Sequence, residues 1–149
     1  MKKVYVFVAV VFIVLAAIIG YGLSFTYDRN SYISEFAKYI NQAIVEDSFA
    51  VEYNGETRKL YSADADEVLR VLKRGKNDYQ KADAAPEAYD EKLTIFMGDM
   101  TVNVYQENRE IDAVVIERVL EGKKRCRLLN DYKTFEWLLQ ATGVKVIEQ

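Results

Sequence analysis

Residues Val4 to Leu23 (VYVFVAVVFIVLAAIIGYGL) form an unbroken apolar run directly after Lys2 and Lys3. The run has no charge and no proline, and its only polar side-chain atoms are the phenols of Tyr5 and Tyr21. A helix crossing the hydrocarbon core of a bilayer needs about 20 such residues. Three readings compete for this segment. A cleaved signal needs small residues at the −3 and −1 positions. Cleavage after Ala17 or Gly20 would put Leu15 or Ile18 at −3. A lipoprotein signal needs a cysteine just after the run, and the only cysteine is Cys126. A core helix of a soluble protein would carry a polar stripe, which this segment lacks. The reading adopted is a retained single-pass anchor over residues 1–23, followed by an extracytoplasmic domain over residues 24–149.

Orientation follows from the flanks. Two lysines precede the run, whereas Asp28 and Arg29 cancel each other after it. Positive charge stays on the cytoplasmic side, so the N-terminus is expected inside and the C-terminal domain outside a bacterial cytoplasmic membrane. Tyr5 at one end and Tyr21, Phe25 and Tyr27 at the other suit the two interfacial aromatic belts.

Composition then narrows the function of the outer part. The chain carries a net charge of −3, and without the two N-terminal lysines the remainder is −5. Such a domain does not bind nucleic acid through bulk electrostatics. The chain has no histidine at all. That removes Ser–His and Cys–His nucleophiles, the usual zinc sites and an imidazole pH switch. With one cysteine there is no internal disulfide. No cofactor motif is present, and none is expected.

Local patterns describe the domain as α+β, with helices packed on an antiparallel sheet. Ile33, Phe36, Ala37, Ile40, Ala43 and Ile44 recur at helical spacing, with Asn30 or Ser31 as a candidate cap. That helix either continues from the span or breaks near Gly20 and Gly22. Asn54-Gly55 between alternating residues marks a hairpin, which sets Glu52 opposite Thr57. Asp64 and Glu67 have capping-box spacing ahead of Val68, Leu69, Val71 and Leu72. Residues 76–91 read as a polar loop. Gly98-Asp99 marks a second hairpin that pairs Leu93 with Val104 and Ile95 with Val102. Val and Ile favour a strand over 113–120, with short helix as the alternative, and Glu121-Gly122 turns it back into 124–129. Asn130 or Asp131 caps a last helix bearing Phe135, Leu138 and Leu139, and Gly143 stops it. Residues 144–147 suit a short edge strand. The stretches from Gly55 and from Gly122 both read turn, strand, cap, helix, which fits an old duplication or the ordinary grammar of α+β domains. The expected core is Phe36, Ile40, Val51, Leu60, Leu69, Leu72, Ile95, Val102, Val104, Val115, Leu128, Phe135 and Leu139.

Few residues stand out as a site. Arg118, Lys123, Lys124, Arg125 and Arg127 form the densest basic cluster. It suits contact with anionic headgroups or an envelope polymer, or else a solvated hairpin that discourages edge pairing. Cys126 is either a thiol activated by cationic neighbours or a small buried group on its strand. Asp64, Asp66 and Glu67 lack the calcium-loop pattern and suit a helix N-terminus. The acids Asp78, Asp83, Glu87, Asp90 and Glu91 suit a solvated connection or a binding loop. The expectation is a non-catalytic, membrane-tethered module that binds an envelope protein or polymer. An envelope enzyme using carboxylate or lysine chemistry, or a subunit of a membrane complex, are the alternatives.

Overall fold

The computed structural model describes residues 2–74, 80–107, 113–129, 131 and 133–144. The chain divides into two compact units, Met1–Tyr32 and Ile33–Gln149. Helix α1 covers Lys2–Val45 without interruption, so neither Gly20 nor Gly22 breaks it and neither Asn30 nor Ser31 caps a new helix. Within it, Tyr5–Ser24 is long and apolar enough to cross a membrane, with mean hydropathy 2.8 and none of it buried. The segment is rich in β-branched Val and Ile, which favour strand in water. Such a sequence is held helical where the backbone must satisfy its own hydrogen bonds.

The second unit is an antiparallel sheet with helices on one face. Its strands are β1 (Phe49–Tyr53), β2 (Glu56–Lys59), β3 (Gln80–Ala82), β4 (Glu91–Met97), β5 (Met100–Glu107), β6 (Ala113–Leu120) and β7 (Lys123–Leu129). They lie in the order β2-β1-β4-β5-β6-β7-β3, all neighbours antiparallel. The two expected hairpins have the expected registers, Glu52 with Thr57, Leu93 with Val104 and Ile95 with Val102. Asn54 and Gly55 both take positive φ, at 52° and 79°, as a two-residue turn between twisted strands requires. The segment 113–120 is a strand, and Glu121-Gly122 forms the third tight turn.

Helices α2 (Ser62–Arg74) and α3 (Lys133–Ala141) pack against each other. With residues 33–45 of α1 they supply Phe36, Ile40, Val68, Leu72, Phe135 and Leu138 to the core. The facing sheet supplies Phe49, Val51, Leu93, Ile95, Met97, Val102, Val104, Ile116 and Leu129, all at most 1% exposed. Tyr53 meets Phe135 edge-on at 6.4 Å between ring centres.

Several local expectations change. Asp64 is not the cap residue of α2. It sits one turn in, and its carboxylate accepts a hydrogen bond from the Tyr61 N–H at 2.8 Å. This is the back-reaching half of a capping box, with Tyr61 in the cap position. Leu69 and Leu128 are only half-buried. On α2 the inward stripe is Ala65, Val68, Val71 and Leu72, and Leu69 lies at its border. Leu128 lies on the sheet face away from the helices. Part of the 76–91 loop is strand β3, whose sequence Gln-Lys-Ala carries no alternation and which exists through its pairing with β7. Asp131 accepts from the Lys133 N–H at 3.1 Å and caps α3. Residues 144–147, expected as an edge strand, fall outside the described residues beyond Val144, which is in a bend.

Candidate functional site

The basic residues singled out from sequence lie on the β6–β7 hairpin, and strand alternation separates them. Arg118 and Arg125 are cross-strand partners on the helix-covered face. Arg118 is buried and ion-paired with Glu35 of α1. Arg127, on the same face, is also buried, and its guanidinium donates to the Cys126 carbonyl at 3.2 Å. Lys123, Lys124 and Arg125 stay exposed near the Glu121-Gly122 turn. The cluster is therefore two structural arginines and three surface cations.

The opposite sheet face carries a feature that the sequence reading missed. Glu52, Thr94, Asn103, Glu117, Cys126 and Ala82 stand in register across β1, β4, β5, β6, β7 and β3. Glu117, 3% exposed, is the centre of this row. Its carboxylate accepts from Asn103 Nδ2 at 2.8 Å and from the Tyr105 hydroxyl at 3.2 Å. Its other oxygen faces the Lys124 ammonium at 3.5 Å. Thr94 Oγ1 donates in turn to Asn103 Oδ1 at 3.0 Å, which fixes the amide so that its NH2 points at Glu117. Each polar atom thus orients the next.

The segment after β3 closes over this row. Ala82, Ala85 and Leu128 pack on Tyr105, Val115 and Cys126. Tyr89 meets Tyr105 edge-on at 5.1 Å. Burial, and then the charge and hydrogen bond of Glu117, push the Tyr105 phenol up to about 12. Tyr105 is thus a neutral donor at any physiological pH. Burial and then Glu117 also raise the Cys126 thiol, against the smaller opposing pull of Lys124 and Arg127. The neighbouring cations do not activate it, and the thiol behaves as a small buried group.

A signal for Glu117 exists in the strand VVIERVL. Val114, Ile116 and Leu120 alternate with Val115 and Val119. Apolar residues on both faces indicate a strand covered on both sides, which buries whatever acid lies within it.

A surface groove of about 460 Å³ lies between α2 and α3, lined by Asp64, Glu67, Arg70, Val71, Trp137 and Gln140 among others. Its charges have local partners. Asp64 serves the Tyr61 amide, Glu67 holds Arg70 at 2.6 Å, and Arg74 stacks over Trp137 at 3.7 Å. Asp64 and Glu67 are thereby accounted for as helix chemistry. Among the described residues, no group of three or more His, Cys, Asp and Glu side chains is placed to hold a metal ion.

No protein-family model, no curated protein and no solved structure matches the chain.

Proposed function

We propose that the chain is a membrane-tethered binding module of a bacterial envelope, with its N-terminus inside and the domain from Ile33 onward outside the cytoplasmic membrane. The observation that carries this reading is the Tyr5–Ser24 helix, twenty residues with no buried portion. Lys2 and Lys3 support the orientation through the positive-inside bias. The binding role is supported by the way the domain uses its charges. Glu117 faces two buried donors and the Lys124 ammonium, Arg118 an acid of α1, and Glu67 an arginine of its own helix. Acid–base work near neutral pH needs a group free to exchange a proton with substrate. The exposed surfaces, by contrast, include a basic hairpin end and a helix–helix groove. Tethering raises the effective concentration of the module for any partner held at the same membrane.

The test has two parts. Carbonate washing should leave the chain in membranes, and external protease should digest the domain in intact spheroplasts. Crosslinking in native membranes should then capture an envelope protein or polymer. A soluble, shortened chain would defeat the tether. Hydrolysis of envelope substrates by the full-length protein, abolished by one acid-to-amide change that leaves the fold intact, would defeat the binding role.

A further inference from the structure

The basic sheet edge formed by β7 and β3 has a chemistry of its own. Together these strands hold Lys81, Lys123, Lys124, Arg125 and Arg127 and not one acid, within a chain of net charge −3. Arg127 is buried, which leaves Lys123, Lys124 and Arg125 as exposed cations on β7. Among the described residues, the acids nearest these cations along the strands are Glu117, Glu121 and Asp83, the last exposed directly after β3. Glu121 in the turn is exposed, and Glu117 lies buried under Lys124.

This edge is also on the side where the chain enters the unit. Ala43 of α1 lies against Gly98 in the β4–β5 turn, while Glu35, two turns earlier, pairs with Arg118 on β6. Traced toward its N-terminus, the helix therefore moves from β4 and β5 toward β7 and β3. The unit begins at Ile33, and eight residues separate it from Ser24 at the end of the apolar segment. Even fully extended, that connection reaches only about 30 Å.

We infer that the β7–β3 edge is a membrane-surface contact that binds the anionic phosphate headgroups of the bilayer holding the anchor. Lys123, Lys124 and Arg125 are its contact residues. An anionic surface attracts juxtamembrane cations over about one Debye length, and the attraction fades as salt rises. Arg118 and Arg127 do not touch lipid. Arg118 ties the hairpin to α1 through Glu35, which keeps the cationic end presented.

The inference rests on the membrane-tethered reading, and the experiment separates the two. Full-length protein is reconstituted into nanodiscs of phosphatidylcholine alone and of phosphatidylcholine with phosphatidylglycerol. Co-elution with both discs tests the tether, and failure to co-elute defeats both readings. Lysine acylation rates are then read by mass spectrometry, with Lys59 on the opposite edge strand β2 as the internal control. Acylation of Lys123 and Lys124 should fall about fivefold in the anionic discs, the equivalent of one basic side chain held at a charged surface. The fall should vanish in high salt, and at any one salt concentration Lys59, held by Asp47, should react alike in both discs. Equal rates in both discs would overturn the inference while leaving the tether intact. Protection in neutral discs by a soluble poly(glycerol phosphate), with none from the anionic lipid, would assign the edge to a wall polymer and overturn the lipid reading.

Discussion

Glu117 organises the back face of the sheet, and its replacement tests that role. In Glu117→Ala, Asn103 and Tyr105 keep their buried donors and lose the shared acceptor. Each such orphan costs about 1–3 kcal/mol, so a loss of about 2–6 kcal/mol is expected in denaturant melts. The neighbouring phenol predicts a pH dependence. In the unfolded chain Tyr105 ionises near 10.0, and in the fold at about 12. Between those values the unfolded state binds fewer protons than the native one, so stability falls as pH rises. The contribution is complete below pH about 10 and is lost as pH passes through about 12. Cys126, raised above 9.0, acts in the same direction and starts earlier. Thermal melts should therefore drop steadily above pH about 9. Tyr105→Phe should lower the neutral-pH midpoint and flatten the decline between pH about 10 and 12. An unchanged alkaline slope in that variant would place the effect elsewhere.

The elements are closed by residues with particular backbone demands, and two glycines separate conformation from contact. Gly55 and Gly143 both occupy the left-handed region, at φ +79° and +63°. A Cβ on Gly55 meets nothing within 4 Å, whereas on Gly143 it would stand 1.7 Å from Arg58 Nη1. That same guanidinium donates to the Thr142 carbonyl at 2.8 Å and ties β2 to the end of α3. Gly55→Ala should cost about 1 kcal/mol, the backbone term alone. Gly143→Ala should cost about 1 kcal/mol more, through displacement of Arg58 from its acceptor. Equal losses in chemical denaturation would show that Arg58 moves aside freely. Hairpins, helices and their registers were readable from sequence because Asn-Gly, Gly-Asp and alternating Val and Ile are local signals. Strand β3 was not, since Gln-Lys-Ala acquires its conformation only from β7. The site was half readable. The basic hairpin was visible as charge, but which cations are buried depends on Glu35, eighty-three positions from Arg118. The Val-rich strand marks Glu117 as a buried acid, but its role was hidden because its partners Asn103, Tyr105 and Lys124 come from β5 and β7.

Across the whole molecule, the sheet is built from two interleaved parts. The four strands β4 to β7 form a continuous meander, and the earlier strands β1 and β3 attach to its two outer sides. Helix α2 and the segment after it carry the chain from the β2 edge to the β3 edge. Removal of residues 123–149 should therefore unfold more than the tail. It strips β3 of its pairing partner and the core of Phe135, Leu138 and Leu139. Limited proteolysis of that truncated chain in membranes should cut within β1 to α2 as well as near the new end. Protection of residues 49–74 would show that the N-terminal part stands alone.

The interleaving bears on how such a chain is made. If the domain is exported, residues 49–82 emerge first and find neither β4 nor β7 yet available. Ile40 and Phe36 wait beside them for strands β4 to β7, which are synthesised later. The nascent segment thus crosses the membrane with open strand edges, and it can close only after Leu129 has followed. Export and folding are then strictly ordered in time, and a pause in translation before β7 prolongs the interval in which the half-made sheet can pair with something else.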